Sequence, residues 1–173
     1  MSLIMIDPGH GGQDPGAIAN GLQEKDLNLS ICLGLSKLLE ARGQNAGLTR
    51  SGDVFISLRQ RCEIANNSKA ALFLSVHCNA SENAAAAGIE AFHAGAGGAW
   101  EKFAQTLCRS LSKLGRQVRG AKPADYYVLR HTVMPACLVE CGFVSNPEEA
   151  AWLKNHVSEI AQALADGIIE YLS

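Results

Sequence analysis

The sequence predicts an α/β fold: a single domain with a twisted, mostly parallel or mixed sheet of about six strands and helices on both faces. Short apolar segments alternate along the chain with amphipathic segments of helical period, which is typical of this class. No internal repeat and no linker-like segment divides the chain. Its 173 residues fall within the range of one domain with its own core, so we expect residues 1–173 to fold as one unit.

Three strands and two helices are predicted in the first half of the chain. Gly43 follows a stretch with apolar residues at helical spacing, and it is expected to end the first helix. Ser57 and Gln60 have the spacing of a capping box, which predicts the start of the second helix. The predicted strands span 3–7, 45–49 and 72–76, and the predicted helices span 25–42 and 57–67.

The second half is predicted to add three strands and three helices. Trp100, Phe103 and further apolar residues up to Leu114 recur at helical spacing, which predicts a helix that faces the core. Pro147 stands at the favoured first position of a short helix that Asn146 begins. The predicted strands span 88–92, 126–129 and 136–139, and the final helix spans 155–172.

Composition and charge narrow the range of partners. Hydrophobic residues make up 47% of the chain and charged residues 18%, as in soluble globular proteins. The net charge is -2 and no basic stripe with interleaved aromatic residues occurs, which argues against a nucleic-acid partner. No apolar run approaches the ~20 residues that cross a membrane. The first predicted strand begins at Leu3 without a signal-peptide pattern before it, so we expect synthesis in the cytoplasm. By default we also expect a monomer.

Six cysteines are spread along the chain without a CxxC pair, which argues against a disulfide framework. Cys32, Cys108 and Cys137 fall within predicted helices or a strand and are interpreted as small buried hydrophobic residues. Cys78 and Cys141 each follow a candidate site residue directly. A reactive thiol or a soft-metal ligand is therefore a second interpretation for these two.

Four polar side chains are expected to converge at one edge of the sheet. His10 lies in a glycine-rich turn after the first strand, His77 and Glu140 stand at strand ends, and Glu24 opens the first long helix. Ligands of open α/β sheets bind outside the carboxyl ends of strands. Two histidines and one glutamate form a known catalytic zinc set that leaves a position for water. We therefore predict His10, Glu24 and His77 as metal ligands, with Glu140 as the general base and acid.

Each of these residues also has a simpler interpretation. Glu24 has the position of a first-turn glutamate that complements the helix dipole. His77 fits a core histidine with satisfied hydrogen bonds. Glu140 is harder to explain in this way, because a carboxylate within an apolar strand is costly unless it is paired or functional.

Twelve short motifs, in order along nearly the whole chain, resemble one known family. They are Asp-Pro-Gly-His-Gly-Gly at 7–12, Glu24-Lys25-Asp26, Leu48-Thr49-Arg50, Leu58 to Arg61, Ala65-Asn66, Ser75-Val76-His77, Gly88-Ile89-Glu90, Arg119-Gly120, Val128-Leu129-Arg130, Pro135-Ala136, Val139-Glu140, and Gly142-Phe143-Val144-Ser145-Asn146. With these motifs the sequence resembles the zinc-dependent N-acetylmuramoyl-L-alanine amidases of the Amidase_3 type.

The resemblance implies a fold, a cofactor and an activity. It implies a mixed twisted sheet, one zinc ion held by His10, Glu24 and His77, and Glu140 as the catalytic carboxylate. Members of the family cut the amide bond between the lactyl group of N-acetylmuramic acid and L-alanine in peptidoglycan. Residues 1–173 would then be one catalytic domain that acts on the cell wall.

The sequence departs from the family pattern at two kinds of position. Cys78 and Cys141 stand where alanine and a threonine-like residue are expected. The connection at 94–100 is too short to hold the autoinhibitory helix that some cell-division members carry there. We therefore expect a cleft that is not self-blocked, as in a phage or prophage endolysin released at lysis, or in the catalytic part of a larger hydrolase.

Two other functions remain open from the sequence. A zinc carboxypeptidase on the same fold would cut peptide bonds within the stem peptide and leave the sugar–peptide bond intact. A catalytically inactive wall-binding module would have no use for the complete set of His10, Glu24, His77 and Glu140. Asn79 and Arg130 are predicted to bind substrate in the cleft.

Overall fold

A six-stranded sheet forms the centre of the protein, and the computed structural model describes it through residues 2–95 and 97–173. In chain order the strands are β1 (Leu3–Pro8), β2 (Ile18–Ala19), β3 (Leu22–Gln23), β4 (Asn45–Leu48), β5 (Leu72–Asn79), β6 (Ile89–His93), β7 (Val118–Pro123) and β8 (Ala136–Phe143). Strands β2 and β3 form a separate short hairpin, and the others pair in the order β4-β1-β5-β8-β6-β7. All pairs in this sheet are parallel except β6 with β8, so the mixed sheet is confirmed.

Helices cover both faces of the sheet, as the sequence predicted. They are α1 (Glu24–Ala41), α2 (Leu58–Asn67), α3 (Gly98–Leu111), α4 (Tyr127–Arg130), α5 (Pro147–Asn155) and α6 (Val157–Leu172), with a 3-10 turn at Ser112–Leu114. Buried residues of α1, α3 and α6 form one core with the sheet, and those of α2 and α4 form a smaller core on the opposite face. Among the helices of the described residues, none has the length and apolarity to span a membrane.

The alternation of side chains along the central strands separates apolar from polar residues. On β5, Leu74 and Val76 join the large core under α1, α3 and α6, whereas Ser75 and His77 line the cleft on the face that carries α2 and α4. On β8, Val139 joins the large core and Glu140 lines that cleft. Because successive residues of a strand point to opposite faces, one apolar face anchors the strands while the other presents the polar groups.

The local signals at helix ends are confirmed. The side chain of Ser57 accepts a hydrogen bond from the Gln60 backbone N–H, and the Gln60 side chain accepts one from the Ser57 backbone N–H, which completes the capping box of α2. Asn146 caps α5, with Pro147 at its first position. Gly43 adopts φ 75°, the left-handed conformation that ends helices favourably.

The predicted strand at 126–129 is wrong, because this segment forms the short helix α4. Val128 and Leu129 are buried in the smaller core from a single helical turn. The strand in this part of the chain is β7, which ends at Pro123, before α4 begins. It lies at the edge of the sheet and carries Arg119, Gly120 and Lys122. An edge strand needs little apolar surface, so its sequence lacked the pattern on which the prediction depended.

Candidate metal centre

Three predicted ligands lie together at the carboxyl edge of the parallel strands. His10 follows β1, Glu24 opens α1, and His77 is near the end of β5. One ligand atom from each lies within 4.8 Å of the other two. His10 Nε2 is 3.1 Å from Glu24 Oε2, and His77 Nδ1 is 2.9 Å from Glu24 Oε1. A metal ion that prefers nitrogen and carboxylate ligands fits this group of donors.

Glycines make room for the three side chains. A Cβ atom on Gly9 would come within 2.2 Å of the His77 ring. A Cβ atom on Gly16 would come within 2.6 Å of both Glu24 and His10, and Gly16 also has φ +64°. His10 itself adopts φ 60°, which is uncommon for a residue other than glycine. The glycine-rich sequence around His10 is therefore required by the approach of the two histidines to the carboxylate.

Hydrogen bonds orient the ligand atoms. His10 Nδ1 lies 2.8 Å from Asp14 Oδ2, which leaves Nε2 directed at the centre of the group. Glu24 Oε2 accepts a hydrogen bond from the Ala17 backbone at 3.0 Å, and Oε1 accepts one from the Cys78 backbone at 3.2 Å. Partners of this kind fix the ring orientation of a metal-ligating histidine and the position of a ligating carboxylate.

Two buried arginines hold the turn that carries His10. Arg61 donates from Nη1 to Asp7 Oδ1 and to the Pro8 carbonyl, both at 2.7 Å, and from Nη2 to the His10 carbonyl at 2.7 Å. Arg50 donates from Nε to the Pro8 carbonyl at 3.0 Å. Sequence reasoning assigned no role to these residues. The available signal was a charged Asp7 directly after the apolar residues of the first strand.

The charges of the group support one another. Burial alone would lower the pKa of His10, but hydrogen bonds and charges from Glu24 and Asp14 outweigh it and raise that pKa to about 9. Burial alone would raise the pKa of Glu24, but hydrogen bonds from His10 and His77 hold it well below its usual range. A divalent cation would take the place of the proton on His10.

Glu140 lies beside this group on β8. It pairs in register with His77 of the neighbouring β5 and with Glu90 of the antiparallel β6. Its Oε2 atom is buried and has no hydrogen-bond partner among the described residues. Burial, together with the charges of Glu24 and Glu90, outweighs the attraction of His77 and raises the pKa of Glu140 to about 7. A carboxylate with this pKa and a free oxygen is suited to accept and return a proton near neutral pH.

An open cleft of about 530 Å³ leads to the candidate ligands and to Glu140. Its floor carries His10, His77 and Glu140. Phe55 and Leu58 line it from one side and remain 48% and 54% exposed. Tyr126, Tyr127, Val128 and Leu138 complete much of its apolar lining. A concave, largely apolar site with few convergent polar groups is typical of ligand binding.

The two residues predicted to bind substrate lie in different surroundings. Asn79 is the last residue of β5, and its Nδ2 donates to Glu90 Oε1 at 3.3 Å. Arg130 lies outside the cleft, in a shallow depression, with its Nε 2.9 Å from Asp125 Oδ1. Neither Asn79 nor Arg130 belongs to the lining of the cleft.

Cys78 and Cys141 are fully buried in the large core, on the face of the sheet opposite His77 and Glu140. A hydrogen bond with Cys141 and burial raise the pKa of the Cys78 thiol well above its usual range. Such a thiol is a weak nucleophile, so packing is the interpretation that its surroundings favour.

The fold and the site define a class: α/β proteins with a His–Glu–His group and a buried carboxylate at the carboxyl ends of parallel strands. Within it, the family described as N-acetylmuramoyl-L-alanine amidase (Amidase_3) matches residues 4–170, and the chain belongs to this family.

Relatives of known name and structure resemble the chain closely. It is 40% identical to the N-acetylmuramoyl-L-alanine amidase LytC of Bacillus subtilis, over 97% of this chain and 35% of LytC. It is 39% identical to the endolysin of Bacillus phage SPP1, over 99% of this chain and 66% of the endolysin. The catalytic domain of CwlV, an N-acetylmuramoyl-L-alanine amidase from Bacillus (Paenibacillus) polymyxa, superposes with a TM-score of 0.94 at 36% identity, covering 99% and 98% of the two chains. The chain thus spans about one third to two thirds of these two curated relatives.

Proposed function

We propose that this chain is the catalytic domain of a zinc amidase that hydrolyses the amide bond between the lactyl group of N-acetylmuramic acid and L-alanine in peptidoglycan. In this proposal His10, Glu24 and His77 hold one zinc ion, and Glu140 transfers the proton. The observation that carries the proposal is the free, buried Oε2 of Glu140 in register with His77 of the ligand group.

The donor set supports zinc as the metal. Two imidazole nitrogens and one carboxylate match the ligands of catalytic zinc sites that keep a position open. When bound, zinc polarises the scissile carbonyl and lowers the pKa of its water to about 7.

Glu140 would act twice in the reaction. Its Oε2 accepts the proton of the attacking water as the new C–O bond forms at the lactyl carbonyl carbon. The same oxygen then gives that proton to the alanine nitrogen as the C–N bond breaks, so that the products are the free amine of the stem peptide and a lactyl carboxyl group, which loses the second water proton to solvent. A pKa raised to about 7 by burial suits both steps.

The cleft fits a substrate with an apolar and a polar part. The exposed side chains of Phe55 and Leu58 offer an apolar surface beside the candidate ligands. We place the action of the protein at the cell wall, with peptidoglycan as its partner and a monomer as its working form. A zinc peptidase on the stem peptide is the second candidate, because the same groups would hydrolyse a peptide amide.

Digestion of purified peptidoglycan tests the proposal. The proposed activity yields new amino-terminal alanine, no new reducing ends, and no reaction after treatment with a zinc chelator. New amino termini other than this alanine would favour the peptidase. Zinc binding without any release would favour a wall-binding module and contradict the proposal.

A further inference from the structure

A pair of basic side chains lies on the sheet edge farthest from the candidate metal ligands, two strands away from the strand of Glu140. Arg119 and Lys122 belong to the edge strand β7, and both contact the buried carboxylate of Glu90 on β6. Arg119 Nε is 3.2 Å and Lys122 Nζ is 2.6 Å from Glu90 Oε2. We call Arg119 and Lys122 the cation pair.

The cation pair carries more charge than its partner neutralises. Glu90 supplies one negative charge to two cations, and the Arg119 and Lys122 side chains remain 37% and 41% exposed. Arg119 is held in place, because its guanidinium lies 5.3 Å from the centre of the Phe143 ring and donates to the Ala87 carbonyl at 3.4 Å. Over the described residues, the Lys122 ammonium donates to Glu90 alone, so donors on both side chains remain available to an anion.

The position of the cation pair matches one half of the proposed substrate. The candidate ligand His77 lies on one side of Glu140, and Glu90 lies on the other side. In the proposed reaction the lactyl carbonyl faces the ligands and Glu140 gives its proton to the alanine nitrogen. In that orientation the stem peptide would extend from Glu140 toward β6 and β7.

We propose that Arg119 and Lys122 bind the free carboxylate on the second residue of the stem peptide. This inference rests on the proposed function. The second residue of a stem peptide is D-glutamate joined through its side-chain carboxyl, so its α-carboxylate is free unless it is amidated. That carboxylate lies about 7 Å from the scissile nitrogen, at about 3.5 Å per extended residue. Strand β7 is two strand spacings from β8, about 9.5 Å, and its side chains reach back toward Glu90.

Two substrates that differ only in this group provide the test. One is N-acetylmuramoyl-L-alanyl-γ-D-glutamyl-L-lysine, and the other has the free α-carboxylate of D-glutamate converted to an amide. For the native chain we expect kcat/KM to be about five- to tenfold higher on the acid, mainly through a lower KM, as for a charge-assisted hydrogen bond at a half-exposed site. The substitutions Arg119→Gln and Lys122→Gln each leave one cation for Glu90 and are expected to bring this ratio close to one.

A matched control and a conservative variant separate binding from folding. Arg109 lies on α3, away from the cleft, and pairs with Glu170 of α6 at 2.7 Å. Arg109→Gln should therefore keep the native ratio of kcat/KM on the acid to kcat/KM on the amide. Lys122→Arg keeps the charge and should restore the preference for the acid. Equal losses on both substrates in Arg119→Gln and Lys122→Gln, or a native ratio near one, would overturn the inference.

A titration independent of turnover separates this inference from the proposed function. The tripeptides L-alanyl-γ-D-glutamyl-L-lysine and its amidated form are titrated into the native chain and the same variants. Tighter binding of the acid that is lost in Lys122→Gln supports the cation pair even if neither muramoyl substrate is cleaved. Equal binding of both tripeptides to the native chain contradicts it even if both substrates are cleaved.

Discussion

Two carboxylates, of Asp7 and Glu140, face the same cleft, and their surroundings differ. Asp7 accepts hydrogen bonds from Thr49 at 2.6 Å and from Ser75 at 2.7 Å, and it pairs with Arg61 at 2.7 Å. Glu140 has a buried oxygen with no partner among the described residues. Buried polar groups normally have hydrogen-bond partners. The partners of Asp7 therefore indicate a structural role, and the unpaired oxygen of Glu140 indicates a role in the reaction. The difference distinguishes a carboxylate that stabilises the fold, Asp7, from one that is free to accept a proton, Glu140.

The largest expected effect is on turnover. Glu140→Gln keeps the shape of the side chain but removes the proton acceptor, so we expect kcat to fall by about 10²–10⁴-fold. The thermal midpoint of unfolding should stay the same or rise, because a carboxylate with a pKa raised by burial is replaced by a neutral amide. Turnover and thermal unfolding, measured on one preparation, check both statements. Glu63→Gln, on the exposed surface of α2, is the control that should leave both unchanged.

Asp7→Asn should produce the opposite result, with a large loss of stability. Removal of its charge leaves the buried Arg61 without an ionic partner, which costs about 3–5 kcal/mol of unfolding free energy. At this chain length the thermal midpoint should fall by about 10 °C, at roughly 2–4 °C per kcal/mol. Chemical denaturation of the metal-free protein measures the change. Asp166→Asn removes an exposed pair with Arg42 and should change stability by less than about 1 kcal/mol. A similar small change for Asp7→Asn would refute the comparison.

The sequence predicted the candidate site better than it predicted the residues that support it. His10 and Glu24 stand at element ends, and His77 and Glu140 lie in the carboxyl halves of β5 and β8, so the rule that ligands bind at the carboxyl ends of strands is enough to group them. The contacts of Arg61 with Asp7 and His10 join residues more than 50 positions apart, and no local pattern records such pairing.

The same limit explains the error in the second half of the chain. Residues 126–129 have the apolar content of a strand, yet tertiary packing folds them as one helical turn over the sheet. Strand β7 shows the reverse case, a strand whose sequence does not look like one. Its polar residues fit an exposed sheet edge and give no periodic apolar pattern.

A smaller effect, on zinc affinity, is expected when a glycine beside the candidate ligands is replaced. Gly9→Ala places a Cβ atom within 2.2 Å of the His77 ring and should displace it, which weakens zinc binding by about 10–100-fold. Gly52→Ala is the matched control, because a Cβ atom there meets nothing within 4 Å. Competition with a chromophoric chelator measures both affinities. Equal zinc affinity in the two variants would show that His77 does not hold the metal in this geometry.

The smallest effect for a single step is the change of zinc affinity over one pH unit. Without metal, His10 has a pKa raised to about 9, so it is protonated below that pH and zinc must displace the proton. Zinc affinity should therefore rise by about tenfold per pH unit up to about pH 9 from this residue alone. Titrations at three pH values between 6.5 and 8.5 measure the slope. An affinity that does not change over this range would contradict a protonated His10 in the metal-free site.

Hydrolysis of peptidoglycan in ¹⁸O-labelled water tests the central claim most directly. If water attacks the lactyl carbonyl, the sugar fragment gains one ¹⁸O in its new carboxylate, and the released stem peptide begins with alanine and carries no label. Mass spectrometry of the separated products distinguishes the two positions. Label in a peptide carboxylate, with alanine still joined to the sugar, would show that the chain cuts within the stem peptide and would contradict the account.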